Sequence, residues 1–490
     1  MRRFCFARCC GPKFGSAICA LLVFFVSTAI VSFAQTLTPL YSFCSKAGCA
    51  DGAKPINFNG LVQGIDGNFY GETIAGGVSD CTTNTVAGCG TTFRITPAGK
   101  LTTLHSFVDT DGNSPGGGLI QATDEQFYGT TFFGGTNGDG TVFGMTAKGA
   151  VTSLHSFLGT DGSALYSTLV QGTDGDFFGT TYSGGEPTAG CSGCGTIFEI
   201  TPGGALNTLH GFCSSATCAD GLLPWGGLIQ ATDGNFYGTT EAGGANSGGT
   251  VFKITVGGAL TTLYNFCSNA SCADGKNPLA TLVQAQNGDF YGTTEVGGAN
   301  NDGTVFKITP SGKLTTLYSF SGADGANPYS GLIQATDGNF YGTTVSGGAN
   351  NDGAVFKLTP AGKLTTYSFD VTNGASPYGG LIQATNGDFY GTASAGGIAG
   401  DGTVFRLSLG LNHFVKTQTT SGKEGAPVII LGTALKGATK VSFNGTAAVF
   451  SVVGSSEITT TVPEGATSGY VTVVLPSGTL TSNTKFRVKP

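Results

Sequence analysis

Apart from one short stretch near its start, the 490-residue chain has no apolar run that approaches the ~20 residues a bilayer-spanning helix needs. Charge is scarce too: only 11% of residues are charged, which leaves little material for the polar faces of surface helices. Acids outnumber bases by 30 to 23, and Lys and Arg do not cluster as a nucleic-acid footprint requires. Nucleic acid is therefore not an expected partner. No Cys follows the apolar stretch at a lipid-attachment position, and the terminal Phe486, Arg487, Val488, Lys489 and Pro490 carry no anchor pattern. Any surface attachment is expected to run through a partner.

The stretch itself has a specific grammar. Arg2, Arg3, Arg8 and Lys13 precede an apolar run from Ile18 to Val31, and Ser32-Phe33-Ala34 then offers the small residues that a signal peptidase reads. Residues 1–34 are expected to be a signal peptide, with a mature chain that begins near Gln35 and does not insert into a membrane. The expected location is secreted, extracellular or at the cell surface, with the periplasm also compatible. Removal of the leader leaves 19 basic and 30 acidic residues, a net charge of −11. Residues 412–490 hold seven Lys/Arg and three Glu, so a basic C-terminal part follows an acidic main part, and two domains are expected.

What is abundant is glycine and aromatics: 83 Gly, 35 Phe and 15 Tyr indicate many short strands joined by tight turns, an all-β chain. A string close to Phe-Tyr-Gly-Thr-Thr begins at Phe69, Phe127, Phe177, Phe236, Phe290, Phe340 and Phe389. Around each copy the order is constant. A Gly-Leu-Ile-Gln-Ala-Thr segment such as 331–336 comes first, then the Phe-Tyr-Gly string, then Thr-Val-Phe-Lys-Ile-Thr (304–309), then Leu-Thr-Thr-Leu-Tyr-Ser-Phe (314–320). Each unit thus offers four strands. Asp233-Gly234, Asp337-Gly338 and Asn386-Gly387 suggest two-residue hairpins with positive φ at both central positions. Both faces of these strands are apolar, so each sheet must lie between two others, as in a propeller blade or an open solenoid. The ends choose: Leu37 to Phe43 matches a fourth strand, while the last unit stops after its third, Thr403 to Leu409. Pairing the two completes a seventh sheet and closes a ring. The expected architecture is a seven-bladed β-propeller closed by an N-terminal strand, over residues 35–410.

The string Leu-Ile-Gln-Ala-Thr-Asp-Gly-Asn-Phe-Tyr-Gly-Thr-Thr, followed by Gly-Gly-Ala-Asn and Gly-Thr-Val-Phe-Lys-Ile-Thr, resembles the GloVer-type tandem repeat family of secreted bacterial proteins. That resemblance implies a propeller-like architecture and a secreted or surface location; it implies no activity and carries over no functional residue. From His413 the pattern changes to short alternating strands at Pro427 to Gly432, Ala438 to Gly445, Ile458 to Val462 and Gly469 to Leu475. This order resembles an IPT/TIG domain, which implies an immunoglobulin-like β-sandwich over residues 411–490 that acts as a spacer or partner surface.

Candidate chemistry is sparse. Ten cysteines of the mature chain fall into local pairs, Cys44/Cys49, Cys81/Cys89, Cys191/Cys194, Cys213/Cys218 and Cys267/Cys272, which in an exported protein read as disulfides. Cys191 and Cys194 also have the spacing of a redox or zinc pair, but no second Cys or His pair lies at zinc-finger spacing. His105, His155 and His210 occupy a fourth-strand position that holds Tyr41, Tyr264 and Tyr318 elsewhere, which reads as packing, and no nucleophilic triad can be assembled. Loop aspartates recur, Asp51, Asp111, Asp161, Asp220, Asp274 and Asp324 before a first strand and Asp139, Asp302, Asp352 and Asp401 after a second. Calcium suits such oxygens, yet Asp-Gly is also an ordinary turn dipeptide, and no cofactor or metal is assigned.

Just before the first strand the units differ. Trp225, Tyr329 and Tyr378 follow Pro224, Pro328 and Pro377, Tyr166 stands nearby in the third unit, and Ile56, Gly116 and Leu279 fill the slot elsewhere. Such an arc of rings at a channel mouth suits a glycan or a protein surface; the plainer alternative is that the rings seal the mouth. A non-catalytic extracellular binding or structural protein is the expected function. The alternative, a polysaccharide-active enzyme, needs a unit that breaks the pattern with convergent acids. The loop insertions at Val78 to Gly90 and Glu186 to Gly195 are poor in acids and favour binding.

Overall fold

In the computed structural model of the protein, residues 37–58, 60–77, 81, 88–187, 191 and 193–489 are described. The expected signal peptide lies outside them, as do parts of both long insertions. Among the described residues the repeat region forms seven antiparallel sheets, six of four strands and one of five. The five-stranded sheet, of the second unit, gains the segment Asn113–Pro115. Unit 5 is typical: Val283–Gln284, Phe290–Thr294, Thr304–Ile308 and Leu314–Ser319 run in sequence order. Leu37–Ser42 pairs with Thr403–Leu407, so the first strand of the chain lies in the sheet of the last unit.

Strand alternation explains why the sheets pack. Phe290 and Tyr291 are adjacent and face opposite sides, and each Tyr or its Phe equivalent stacks on the leading Phe of the next unit. The ring pairs are Tyr70–Phe127, Tyr128–Phe177, Phe178–Phe236, Tyr237–Phe290, Tyr291–Phe340, Tyr341–Phe389 and Tyr390–Phe69, all with centroids 3.9–4.3 Å apart. Third-strand Phe306 and Ile308, and Phe266 just after the fourth strand of the preceding unit, fill the same layers, all essentially unexposed. A second seam is polar. The backbone N–H groups of Ile65, Thr123, Thr173, Thr232, Gln286, Thr336 and Thr385 donate to the side-chain oxygens of Gln121, Gln171, Gln230, Gln284, Gln334, Gln383 and Gln63, each in the next unit.

Two expectations about local structure change. The first strand is only two residues long, as at Ile333–Gln334, because its leading Gly-Leu bends toward the neighbouring unit and its trailing Ala335 already opens the turn. That turn is not a two-residue hairpin. Only Gly338 has positive φ (78°), Gly338 N–H returns to Ala335 O, and Ala335 N–H reaches Asn339 O, which is a three-residue loop. Asp337 stays in ordinary backbone space because its carboxylate works as a cap, accepting from Asn339 N–H at 3.1 Å and from the Tyr341 hydroxyl at 2.9 Å.

After the repeats, residues 416–489 form a two-sheet sandwich. One sheet is four-stranded and holds Pro427–Leu431 and Glu457–Thr461; the other is five-stranded and holds Lys440–Phe443, Gly469–Leu475 and Gly478–Lys489. Val428, Ile430, Val441, Phe443, Val471 and Phe486 form its core. It belongs with the repeats to one compact unit, residues 34–490.

The glycine of Phe-Tyr-Gly is required by close approach. A Cβ on Gly292 would lie 2.6 Å from Phe306 Cζ and 2.8 Å from Leu282 Cδ2. Gly292→Ala is therefore expected to cost ~1–3 kcal/mol through overpacking, read as a lowered midpoint in thermal or denaturant unfolding.

Candidate functional site

The segment before each first strand is held by an unusual backbone. Lys54, Ser114, Ala164, Leu223, Asn277, Asn327 and Ser376 all have φ between 51° and 57°, a region disfavoured for side chains other than Asn, Asp or Gly. Each N–H is tied to a loop of the preceding unit, as in Asn327 N–H to Asp302 O (3.0 Å) and Lys54 N–H to Asp401 O (2.8 Å). In six units the carbonyl accepts from the residue that follows the second strand, as in Glu295 N–H to Asn277 O (2.9 Å). This kink puts the following residues and the end of the second strand side by side at one mouth of the array.

There the four rings singled out in the sequence meet in one continuous cluster. Tyr166 and Trp225 stack with centroids 4.2 Å apart and planes 3° from parallel, and Tyr329 meets Tyr378 edge-on at 5.1 Å. Phe58 joins the two halves, with edge contacts to Tyr166, Trp225 and Tyr378 and a stacked contact to Phe132. Phe58 is 9% exposed, whereas Tyr166, Trp225, Tyr329 and Tyr378 keep partial exposure. Phe58, Phe132 and Tyr182 were missed because they do not occupy the slot after the proline. Phe58 comes two residues later than that slot, and Phe132 and Tyr182 follow the Thr-Thr of the second strand.

The position after Thr-Thr also carries acids. Units 4 and 5 place Glu241 and Glu295 there. Tyr329 donates to Glu295 Oε1 at 2.8 Å, and Tyr182 and Asn277 reach Glu241. Burial pushes the Glu241 carboxyl above its usual range, and the neighbouring charge of Glu295 pushes the same way against those two donors. Burial, and then the Glu241 charge, raise the Tyr182 hydroxyl to about 12. Among the described residues Glu241 Oε2 and Trp225 Nε1 have no hydrogen-bond partner. The site therefore offers ring faces, two carboxylates and polar capacity that the protein does not itself use.

Unit 1 departs from the repeat as well. Glu72 stands where the other units have Thr130, Thr180, Thr239, Thr293, Thr343 and Thr392. It is fully buried; Oε2 accepts from Gly118 N–H at 2.9 Å and Oε1 has no donor among the described residues. Burial pushes its carboxyl up to about 8, a shift that the one Gly118 bond only partly offsets.

The other candidates resolve into packing. Fourth-strand rings bond the loop aspartates: His105–Asp111 and His155–Asp161 at 2.9 Å, His210–Asp220 at 3.1 Å, Tyr41–Asp51 at 2.6 Å, Tyr264–Asp274 at 2.8 Å, and Tyr318–Asp324. Burial alone would raise the Asp274 carboxyl, but donors from Tyr264 and Ser268 hold it below the usual range. Asp302, Asp352 and Asp401 contribute backbone carbonyls to the mouth kinks, as Asp139 does. Cys44–Cys49, Cys81–Cys89, Cys191–Cys194, Cys213–Cys218 and Cys267–Cys272 are each joined sulfur to sulfur within one loop. A cleft of about 490 Å³ lies away from the mouth, between the sandwich and the turns of units 5 and 6, lined by Gln286, Asp337, His413, Tyr470 and Asn483. It lacks the stacked rings, and the mouth is the better-built site.

The sequence family described as the Gloeobacter/Verrucomicrobia repeat matches residues 28–186, 79–284 and 268–448, and the IPT/TIG domain matches residues 414–488. No curated protein matches the chain. Among solved structures the chain is similar to virginiamycin B lyase from Staphylococcus aureus, at 14% identity and a TM-score of 0.50, covering 76% of this chain and 99% of that one. It is also similar to a fungal alcohol oxidase of the AA5 family in complex with copper, at 12% identity and a TM-score of 0.50, covering 90% and 98%. At such identities the likeness is one of fold, and it agrees with a propeller-like arrangement of the repeated sheets. No helix among the described residues is long and apolar enough to cross a membrane.

Glu72 gives a pH-dependent test. Below about pH 4.5 the folded and unfolded chains both hold its proton; between there and about 8 only the folded chain does. Stability is thus lost at roughly 1.4 kcal/mol per pH unit across that window, and the loss is complete above it. Glu72→Thr, which restores the residue of the other units, should raise the melting temperature at pH 8 and progressively less toward pH 4.5. An increment independent of pH would rule out a buried, protonated Glu72.

Proposed function

The chain belongs to the Gloeobacter/Verrucomicrobia repeat family and ends in an IPT/TIG domain, and from that premise we propose that it is an extracellular binding protein on a closed seven-bladed β-propeller, with the aromatic mouth as a glycan site. Its parts are a signal peptide over 1–34, the propeller over 35–410 and the IPT/TIG sandwich over 411–490. Closure is supported by three contacts between the last and first units: the pairing of Leu37–Ser42 with Thr403–Leu407, the Thr385 N–H to Gln63 bond, and the Tyr390–Phe69 stack. Five short-range disulfides suit an oxidising compartment outside the cytosol.

The observation that carries the ligand reading is the partly exposed ring cluster from Tyr166 to Tyr329 with Glu241 and Glu295 set into its rim. Flat rings stack on the apolar faces of sugars at small entropic cost, and carboxylates accept from sugar hydroxyls. A second reading is favoured by one observation, the carboxylate pair itself. A raised Glu241 beside Glu295 is how acid–base couples are poised, so a polysaccharide-cleaving enzyme is the alternative.

Three outcomes are expected. On a glycan array the mature protein should bind, and Trp225→Ala and Tyr329→Ala should each weaken binding about tenfold or more; unchanged binding and stability would move the site away from the mouth. Glu241→Gln should leave a binder intact in substance, while loss of reducing-end release with retained binding would establish the enzyme. Deletion of residues 35–43 should lower the unfolding temperature of the whole propeller, since the seventh sheet loses a strand, and an unchanged value would refute closure.

A further inference from the structure

The first strand of each unit leads away from the aromatic mouth, so the turn at its far end lies on the other face. The C-terminal sandwich is docked there. Ser456 Oγ donates to Ile65 O (2.8 Å) in unit 1, Gln418 Nε2 to Ala122 O (2.6 Å) in unit 2, and Phe414 N–H to Thr385 O (3.0 Å) in unit 7. The mouth is the face left to a ligand.

The arc of rings at that mouth is broken in one place. Trp225 of unit 4 contacts Tyr166, Tyr182 and Phe58, and Tyr329 of unit 6 contacts Tyr378, but no ring contact among the described residues joins Trp225 to Tyr329. Between them stands unit 5, whose slot after the proline holds Leu279, only 3% exposed. The repeat tells what Leu279 replaces. A Cβ on Gly303 would lie 2.6 Å from Pro328 Cδ and 2.7 Å from Glu295 O, and a Cβ on Gly249 would lie 2.6 Å from Pro278 Cδ and 2.7 Å from Glu241 O. Leu279 therefore stands to Glu241 as Tyr329 stands to Glu295. Tyr329 gives its carboxylate a hydroxyl donor at 2.8 Å, whereas Leu279 has none to give, and Glu241 Oε2 has no partner among the described residues.

Both acids of the mouth flank this break. At the slot after the proline and at the position after Thr-Thr, the seven units carry no Lys, Arg or His, and Glu241 and Glu295 are the only acids. Neither enters an ion pair among the described residues, and Lys276, which precedes the unit 5 kink, is exposed and forms none either. Two carboxylates among ring faces favour a cation. Calcium needs six or more oxygens, which Leu279 and the rings do not provide. An ammonium has three donors to place and is itself attracted to ring faces. The ligand must also accept, because Trp225 Nε1 has no acceptor among the described residues, and a sugar hydroxyl does so.

We propose that the break at Leu279 is the subsite for a protonated amine, and that the glycan recognised at the mouth is an amino-sugar chain with unacetylated amino groups. The ammonium donates to Glu241 and Glu295, while Trp225 and Tyr329 stack on neighbouring sugars. Residues 35–411 carry 27 acidic and 12 basic residues, a field that draws a polycation to the repeats. This rests on the glycan reading and narrows it to one ligand class.

Three β-1,4-linked tetramers that differ only at C2 are the probes: glucosamine, N-acetylglucosamine and glucose. In calorimetry on the mature protein, at a pH where the amines are protonated, the glucosamine tetramer should bind about tenfold or more tighter than the other two. Glu295→Gln should erase that preference, and so should Leu279→Tyr, which gives unit 5 the residue of unit 6 and closes the break; either variant decides if the other fails to fold. Equal binding of all three tetramers, or a preference that survives in a folded variant, would overturn the amine subsite and leave the glycan reading standing. Failure of every glycan, on the array as in calorimetry, would overturn both. A lysine tetrapeptide that binds as tightly as the glucosamine tetramer would show that charge alone is read, which also overturns the proposal.

Discussion

Each unit commits a Phe and a second ring, Tyr in six units and Phe178 in the third, to opposite faces of one strand, and the stacking of that second ring on the next unit's Phe is the contact on which the rest of the repeat region depends. It sets the distance between sheets, while within each sheet the paired third-strand Phe and the Leu before the first strand, Phe306 and Leu282 for Gly292, leave no room for a side chain at that glycine. The same spacing lets a Gln of one unit accept the turn N–H of its neighbour. Apolar stacking supplies most of the free energy here, since the stacked rings are buried almost completely, while the Gln seam supplies direction: a sheet shifted by one residue would lose both at once.

A regular seam of this kind leaves diversity to the ends of strands. The mouth is where units are free to differ, because the kink at Asn327 and its equivalents is fixed by backbone hydrogen bonds and, past the proline that follows it in six units, makes no demand on the next side chain. Rings and carboxylates accumulate there, and burying Glu241 and Glu72 costs stability that the rest of the fold must offset.

The repeat, its four strands and the origin of the odd N-terminal strand were legible because they rest on periodicity, which a single sequence displays directly. The ring cluster was legible in part. Trp225, Tyr329 and Tyr378 follow a proline that marks their place, whereas Phe58 is displaced from that slot and is recognisable only once the chain is folded. Glu72 and Glu241 were hidden by the regularity that surrounds them: a single Glu inside Phe-Tyr-Gly-Glu-Thr looks like drift in a repeat, and only burial gives it meaning. Turn type was misread because Asp337 caps its own loop through its side chain, so the dipeptide Asp-Gly serves two geometries. The docking of the sandwich left no trace in the sequence, because it is made largely to backbone carbonyls that every residue possesses.

The strand Leu37–Ser42 has a partner more than 360 residues away, so of the described strands it is the first made and among the last to be paired. For that interval its backbone is an open template for any other extended chain. Where units 1, 4 and 5 have Leu-Thr-Thr-Leu, this strand reads Leu37-Thr38-Pro39-Leu40. Pro39 is exposed and belongs to the outermost strand of its sheet, where a missing N–H does least harm to the finished fold. During the wait it removes a donor and fixes φ, which makes the unpaired strand a poor nucleus for aggregation. The proline thus protects the chain before the fold exists.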